Sequence, residues 1–235
     1  MTLKEVMQEL ESYGDAQTKK TLGIHGAKEP YFGVKVGDLK KILKKTKKNH
    51  ELSLELYATG NSDAMYLAGL MADEKKISKV TLEKWAHEAY WYYLFQYSVP
   101  MLAAETEFGF EIGLKWIQSD IETVVSCGWS TLSSFATVQD DDKLDIKKYS
   151  ELLDFVEKNI HAQENNVRSS MNLFVIAIGT YVKDLTDKCL EISEKVGKVI
   201  IIKEGTACKV PFASDYINKV KVAGKIGSKR KVARC

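Results

Sequence analysis

Apolar residues recur at spacings of three and four along nearly the whole chain. Leu3, Val6, Met7 and Leu10 make one such stripe, and Ala64, Leu67, Ala68 and Met71 make another. Tyr149, Leu152, Leu153, Val156 and Ile160 repeat the pattern, as do Val167, Met171, Phe174, Val175 and Ile178. A stripe of this period faces one side of an α-helix, so each predicts an amphipathic helix packed on a core. Thr2 and Glu5 have capping-box spacing at the start of the first stripe. Prolines occur only at 30, 100 and 211, and Gly, Asn, Asp or Ser loops separate segments of about 10 to 18 residues, as an all-α chain requires.

A coarser rhythm overlies the first. The segments SDAMYLAGLMA, YSVPMLAAE, TVVSCGWSTLSSFA and SSMNLFVIAIGTYV mix large apolar residues with small ones, and each follows a more charged helix. Alternation of this kind suits stacked helical hairpins whose inner helices approach closely, a HEAT-like repeat of period roughly 30 to 45 in an α-solenoid. An irregular helical bundle is the other architecture compatible with the pattern. One domain is expected over residues 1–235. The helical pattern breaks at GKVIIIKEGTACKVP, where Val199 to Ile202 and Thr206 to Val210 flank Lys203, Glu204 and Gly205. β-branched runs around a glycine turn predict a β-hairpin over 198–210. It serves either as a connector that caps the last helix or as a projecting wedge with Lys203 and Lys209 near its tip, since apolar wedges hold distorted DNA.

Composition narrows the function. With 235 residues, 45% hydrophobic and 28% charged, the chain fits an ordinary globular domain. Its N-terminal segment is amphipathic rather than a signal core, and no run reaches the length of a membrane span, so a cytoplasmic, monomeric protein without a membrane partner is expected. Cys127, Cys189, Cys208 and Cys235 show no CxxC spacing and the histidines are scattered. Structural thiols are therefore expected, with no metal and no cofactor. The net charge is only +2, yet Lys40, Lys41, Lys44, Lys45, Lys47 and Lys48 cluster, and Lys229 and Arg230 lie in a basic tail, 224–235, expected to be flexible. Such clusters suit a polyanion contact, or a solvated helix face.

The densest chemistry lies in WAHEAYWYYLFQYSVP, residues 85–100. Helical geometry turns consecutive positions about 100° apart, so many of these rings must enter the core. Tyr92, Tyr93 and Gln96 share an i, i+1, i+4 face and are the expected groove-facing set, with Tyr to stack on a base or sugar and Gln to reach a base edge or phosphate. Trp129 and Tyr181 are further candidates on later helices. Arg168, the only arginine within the helical segments, is the expected phosphate clamp, because its planar fork binds oxyanions bidentately.

The segment GVKVGDLKKILKK (Gly33 to Lys45), the aromatic stretch ending in Ser98, Val99 and Pro100, and KWIQSD (Lys115 to Asp120) resemble the AlkD-like DNA alkylation-repair family over roughly the first 195 residues. The resemblance implies a HEAT-like solenoid whose concave basic face holds duplex DNA, and in catalytic members the excision of cationic alkylated purines such as 3-methyladenine and 7-methylguanine. Those members carry Trp-Trp-Asp-Ser-Val-Asp before the Val-Pro. By that alignment the second Asp falls on Gln96, the first on Tyr93 and the second Trp on Tyr92, and a phosphate-binding arginine falls near Ser126. An anion stabilises the oxocarbenium-like state of N-glycosidic cleavage, and loss of such a group typically costs about 100- to 1,000-fold in rate. Among nearby acids, Glu88, Glu105, Glu107 and Asp120, the substitute best placed is Glu105, one turn beyond Pro100.

Three classes of function follow. The favoured one is a non-catalytic DNA-binding protein that recognises distorted, damaged or branched DNA. The second is an alkylpurine glycosylase with a substitute acid, and the third a protein-binding helical scaffold, which leaves the lysine clusters without a role.

Overall fold

A computed structural model describes residues 1–202 and 210–234. Thirteen α-helices are found among the described residues: α1 Leu3–Ser12, α2 Ala16–Ile24, α3 Val36–Thr46, α4 His50–Ala58, α5 Ser62–Met71, α6 Lys79–Glu88, α7 Val99–Ala104, α8 Gly109–Trp116, α9 Glu122–Val138, α10 Ile146–Asn159, α11 Asn165–Tyr181, α12 Thr186–Val196 and α13 Ala213–Val222. The expected HEAT-like, all-α architecture is what the chain adopts. Polar side chains start many of these helices by accepting from orphan N–H groups. The Thr2–Glu5 capping box is complete, and Asp15, Asn49, Asn61, Ser78 and Asp145 cap α2, α4, α5, α6 and α10.

Two layers result, and the sequence explains which helix enters which. α6, α10 and α12 carry one apolar stripe and bury only that, for example Tyr149, Leu152, Leu153 and Val156 of α10. α5, α9 and α11 are rich in Ala, Gly, Ser and Thr and are buried on most sides; every residue of α5 is buried. They form an inner row in which α5 meets α7, α7 meets α9, and α9 meets α11. Small residues permit the close approach. A Cβ on Gly128, midway along α9, would stand 2.6 Å from the Ile117 backbone nitrogen and 2.9 Å from the Trp116 carbonyl carbon. The buried apolar residues form one cluster from Val6 to Cys127 and a second from Trp129 to Ile217, adjoining along α9.

Asp63, in the first turn of α5, ties the start of the array together. Its carboxylate is 1% exposed and accepts from the backbone N–H groups of Phe32 (2.7 Å), Gly33 (3.0 Å) and Val34 (3.0 Å). That is why GV-x-V leads into α3 at a fixed angle: three otherwise orphaned donors converge on one side chain.

Of the expected hairpin, residues 198–202 and 210 are described and form no strand; 203–209, with Lys203, Lys209 and the turn itself, lie outside the described residues. The C-terminal segment departs from expectation in the other direction. Ala233 and Arg234 are buried, and residues 227–234 bond to the ends of four helices. It is a packed strap, because its cations meet carbonyls at helix C-termini.

Candidate nucleic-acid interface

The aromatic stretch contains a local departure from α geometry. Leu94–Ser98 forms a single π-turn, in which the Val99 N–H bonds to the Leu94 carbonyl. Pro100 has no N–H, so the carbonyl four residues before it loses its α-helical donor, and a widened turn preceding the proline accommodates the deficit. The wide turn shifts the angular position of every side chain after Leu94. Of the expected set, Gln96 lines a groove together with Tyr97, and Tyr92 and Tyr93 pack against Tyr97.

Tyr92 and Tyr93 are half-buried in a ring cluster. Their centroids lie 4.4 Å apart, Tyr93 sits 4.6 Å from Trp91 and 5.6 Å from Tyr66, and Tyr92 sits 5.8 Å from His25. Gln96 turns instead into the inner row and is only 6% exposed. Its Nε2 donates to Ser170 Oγ at 3.2 Å. Ser170 Oγ also lies 2.6 Å from Ser126 Oγ and accepts from Ser130 Oγ at 3.4 Å, while Ser126 donates to the Asn166 carbonyl. The two positions at which the resemblance removes an acid and an arginine, Gln96 and Ser126, thus meet through one buried hydroxyl, and the four side chains satisfy one another without a charge.

Beside this network runs a groove of about 450 Å³. It is lined by the polar Gln96, Ser130, Ser133, Ser134 and Thr137, by the apolar Met101, Leu173, Ile176, Ala177 and Pro211, and by Tyr97, Tyr181, Tyr216 and Arg230. Among the described residues no carboxylate lines it. What such a surface offers is hydroxyl donors and acceptors, three phenol rings suited to stacking, and one guanidinium. A positive floor is not among its features, since Arg230 is its only cation among the described residues.

The remaining expected residues take other places. The Arg168 clamp is corrected: Nη1 donates to the Ile200 carbonyl at 2.9 Å and Nη2 to Asn165 Oδ1 at 3.2 Å. Asn165 also bonds both the N–H and the carbonyl of Ile202. The fork thus fastens the chain that leaves α12. Trp129 is 1% exposed, packed edge-on against Phe174, and belongs to the core. Lys44, Lys45, Lys47 and Lys48 are exposed around the end of α3, but Lys45 pairs with Glu9 and Lys48 with Glu74, so the cluster is partly neutralised. Lys229 reaches the Ala136 carbonyl (2.9 Å) and Asp141 (2.7 Å).

Glu105 is not placed to act as a substitute acid. Its carboxylate accepts from the N–H groups of Ala233 and Arg234 and from Nε and Nη2 of Arg234, at 2.6–3.0 Å. Sequence reasoning passed over Arg234 because it is the last of a run of cations at 225–234. No single position there signals that this one is buried.

Cys127 and Cys189 are free and buried, and burial pushes both thiols up, which makes them poor nucleophiles. Among the described residues no His, Cys, Asp or Glu group could hold a metal ion, and no helix is long and apolar enough to cross a membrane.

The family model of the DNA alkylation repair enzymes matches residues 6–208. The chain belongs to that family. An uncharacterised protein of Listeria innocua is 32% identical over 227 residues, covering 94% of this chain and 98% of its own. An uncharacterised protein of Listeria monocytogenes matches with the same identity and coverage. Among solved structures, a protein described as one of a new family related to the HEAT-like repeat DNA glycosylases, with affinity for branched DNA structures, superposes with a TM-score of 0.92 at 39% identity, over 100% of both chains. The DNA alkylation repair family therefore supplies the fold.

Proposed function

We propose that this family member binds distorted or branched DNA along the inner row of its helices and does not excise bases. The observation that carries the reading is the network around Ser170. A glycosylase of the family's kind needs an anion at the position of Gln96 to stabilise the sugar cation. Here that position holds a neutral amide, 6% exposed and donating its N–H inward. Glu105, the expected substitute acid, is bound to Arg234, and among the described residues the groove has no acid of its own. A solved protein with affinity for branched DNA that matches this chain end to end supports the choice of ligand.

The groove residues divide the work by chemistry. Tyr97, Tyr181 and Tyr216 offer rings to unstacked bases, the serine and threonine hydroxyls meet sugar and phosphate oxygens, and Arg230 takes a phosphate. Tyr92 and Tyr93 shape the neighbouring wall. Lys44 and Lys47 add electrostatic attraction at one end of the array. The test is base release: methylated duplex incubated with the protein is expected to lose 7-methylguanine and 3-methyladenine no faster than the duplex alone. Release above that background, at a rate that rises with protein concentration, overturns the non-catalytic reading.

A further inference from the structure

The C-terminal strap bonds in turn to the ends of four inner helices, α11, α9, α7 and α5, in reverse chain order. The Gly227 N–H donates to the Thr180 carbonyl at 2.9 Å, beside the last residue of α11. Lys229 Nζ and the Arg230 N–H reach the Ala136 and Thr137 carbonyls at the end of α9, at 2.9 and 2.8 Å. The N–H groups of Ala233 and Arg234 reach Glu105, the C-cap residue of α7. Arg234 Nη1 then donates to the Gly69 and Ala72 carbonyls at the end of α5, at 3.1 and 2.6 Å. Carbonyls at helix C-termini lack intrahelical partners and carry the negative end of the dipole, so the strap's cations complement two of these ends, Lys229 that of α9 and Arg234 that of α5.

Arg234 is the strongest of these anchors. Its guanidinium has five N–H donors, and five bonds are present: Nε to Glu105, Nη1 to Gly69 and Ala72, and Nη2 to Glu74 and Glu105. Lys48 is a second cation on Glu74, so two carboxylates are matched by two cations and the cluster is neutral. A residue 7% exposed with every donor used is a built joint. At the α9 anchor, four residues before this joint, the strap brings Arg230 to the groove alongside Tyr97, Tyr181 and Tyr216.

We propose that the strap is part of the DNA site: Arg230 contacts a backbone phosphate, and Arg234 is the positioning residue that holds Arg230 over the groove. The inference rests on the DNA-binding reading and adds the residue that supplies the groove's positive charge. Arg230→Ala is expected to weaken binding to a four-way junction by about tenfold and to lower the log-log salt slope by roughly 0.9, one phosphate. Arg234→Ala is expected to lower the slope equally, although the side chain is buried, and the double variant to lose no more than Arg234→Ala alone, since residues acting through one another do not add. Should Arg234→Ala fail to fold, Glu105→Gln, which leaves the residue's size unchanged and weakens the joint, is expected to lower the slope in the same way.

Helicity by circular dichroism separates loss of fold from loss of position. A wild-type protein that binds junctions, with Arg230→Ala showing the wild-type slope, overturns the role of the strap and leaves the function standing. Folded Arg234→Ala with an unaltered slope, or losses in the double variant that multiply, likewise overturns the positioning role. A wild-type protein that does not bind junctions overturns both readings.

Discussion

Replacing Gln96 by Glu tests the buried network without altering the size of the side chain. The amide now donates to Ser170 at 3.2 Å in a site 6% exposed. Removing that donor costs about 1 kcal/mol. Burying a carboxylate costs several kcal/mol more, and Ser170, by turning its hydroxyl toward the new anion, returns about 1.5 to 3 kcal/mol. The net is a destabilisation of roughly 2 to 4 kcal/mol at neutral pH, which for a chain of this length lowers Tm by about 4 to 16 °C. The sign of the pH dependence follows from the same geometry. Burial raises the folded-state pKa of the introduced acid above its unfolded value of about 4.3, so the penalty is complete above the folded pKa and fades as pH falls through it. Thermal unfolding at about pH 7.5 and about pH 5 is expected to show a larger loss at the higher pH. Equal Tm values for variant and wild type, or a loss that does not change with pH, would refute the buried, hydrogen-bonded placement of Gln96.

Gly128→Ala forces a Cβ to within 2.6 Å of backbone at Ile117, which cannot move as a side chain can. A loss of about 1 to 3 kcal/mol is expected in denaturant titration, and a neutral result would mean that α8 and α9 are not so closely packed. Glu74 gives a pH signature for the strap. Its partial burial favours the neutral acid, but bonds from Lys48 and its own backbone and the charges of Arg234 and Lys48 outweigh this and hold its pKa at about 2. Its contribution is therefore present above the ordinary value of 4.5 and is lost as pH falls from there toward about 2. The Tm difference between wild type and Arg234→Ala is accordingly expected to narrow over that interval, and a constant difference would contradict it.

How much of this was legible in the sequence depended on how local the cause was. The stripes of α10 and α11 are read directly, because each buried residue is set by its own helical period: Tyr149, Leu153 and Val156, then Met171, Phe174 and Ile178, are all fully buried. The small-residue segments marked the inner row for the same reason. Gln96 was harder. Its position within the π-turn Leu94–Ser98 depends on Pro100 removing a donor, and a 3.6-residue template cannot represent a turn of different width. Arg168 was assigned a ligand because charge alone does not show that the Ile200 carbonyl lies within reach. The strap was least legible of all, since Arg234 meets Gly69 across 165 residues and Lys229 meets Ala136 across 93. Only the completed array of helix ends creates those partners.

The same dependence explains why charge clusters misled. Lys45 and Lys48 read as a polyanion patch, yet each faces an acid, Glu9 of α1 and Glu74 in the turn after α5, and exposed pairs of that kind mostly screen one another. Among the described residues the groove's cation, Arg230, comes from the strap.

The central claim, that the inner row holds branched DNA by its backbone, is tested most directly by titrating the intact protein with a labelled four-way junction and with plain duplex of the same length, at about 50 and about 200 mM salt. Tighter binding to the junction, falling steeply with salt at a slope of several phosphates, is the expected result. Equal, weak and salt-insensitive binding to both would contradict it and favour a protein-binding scaffold.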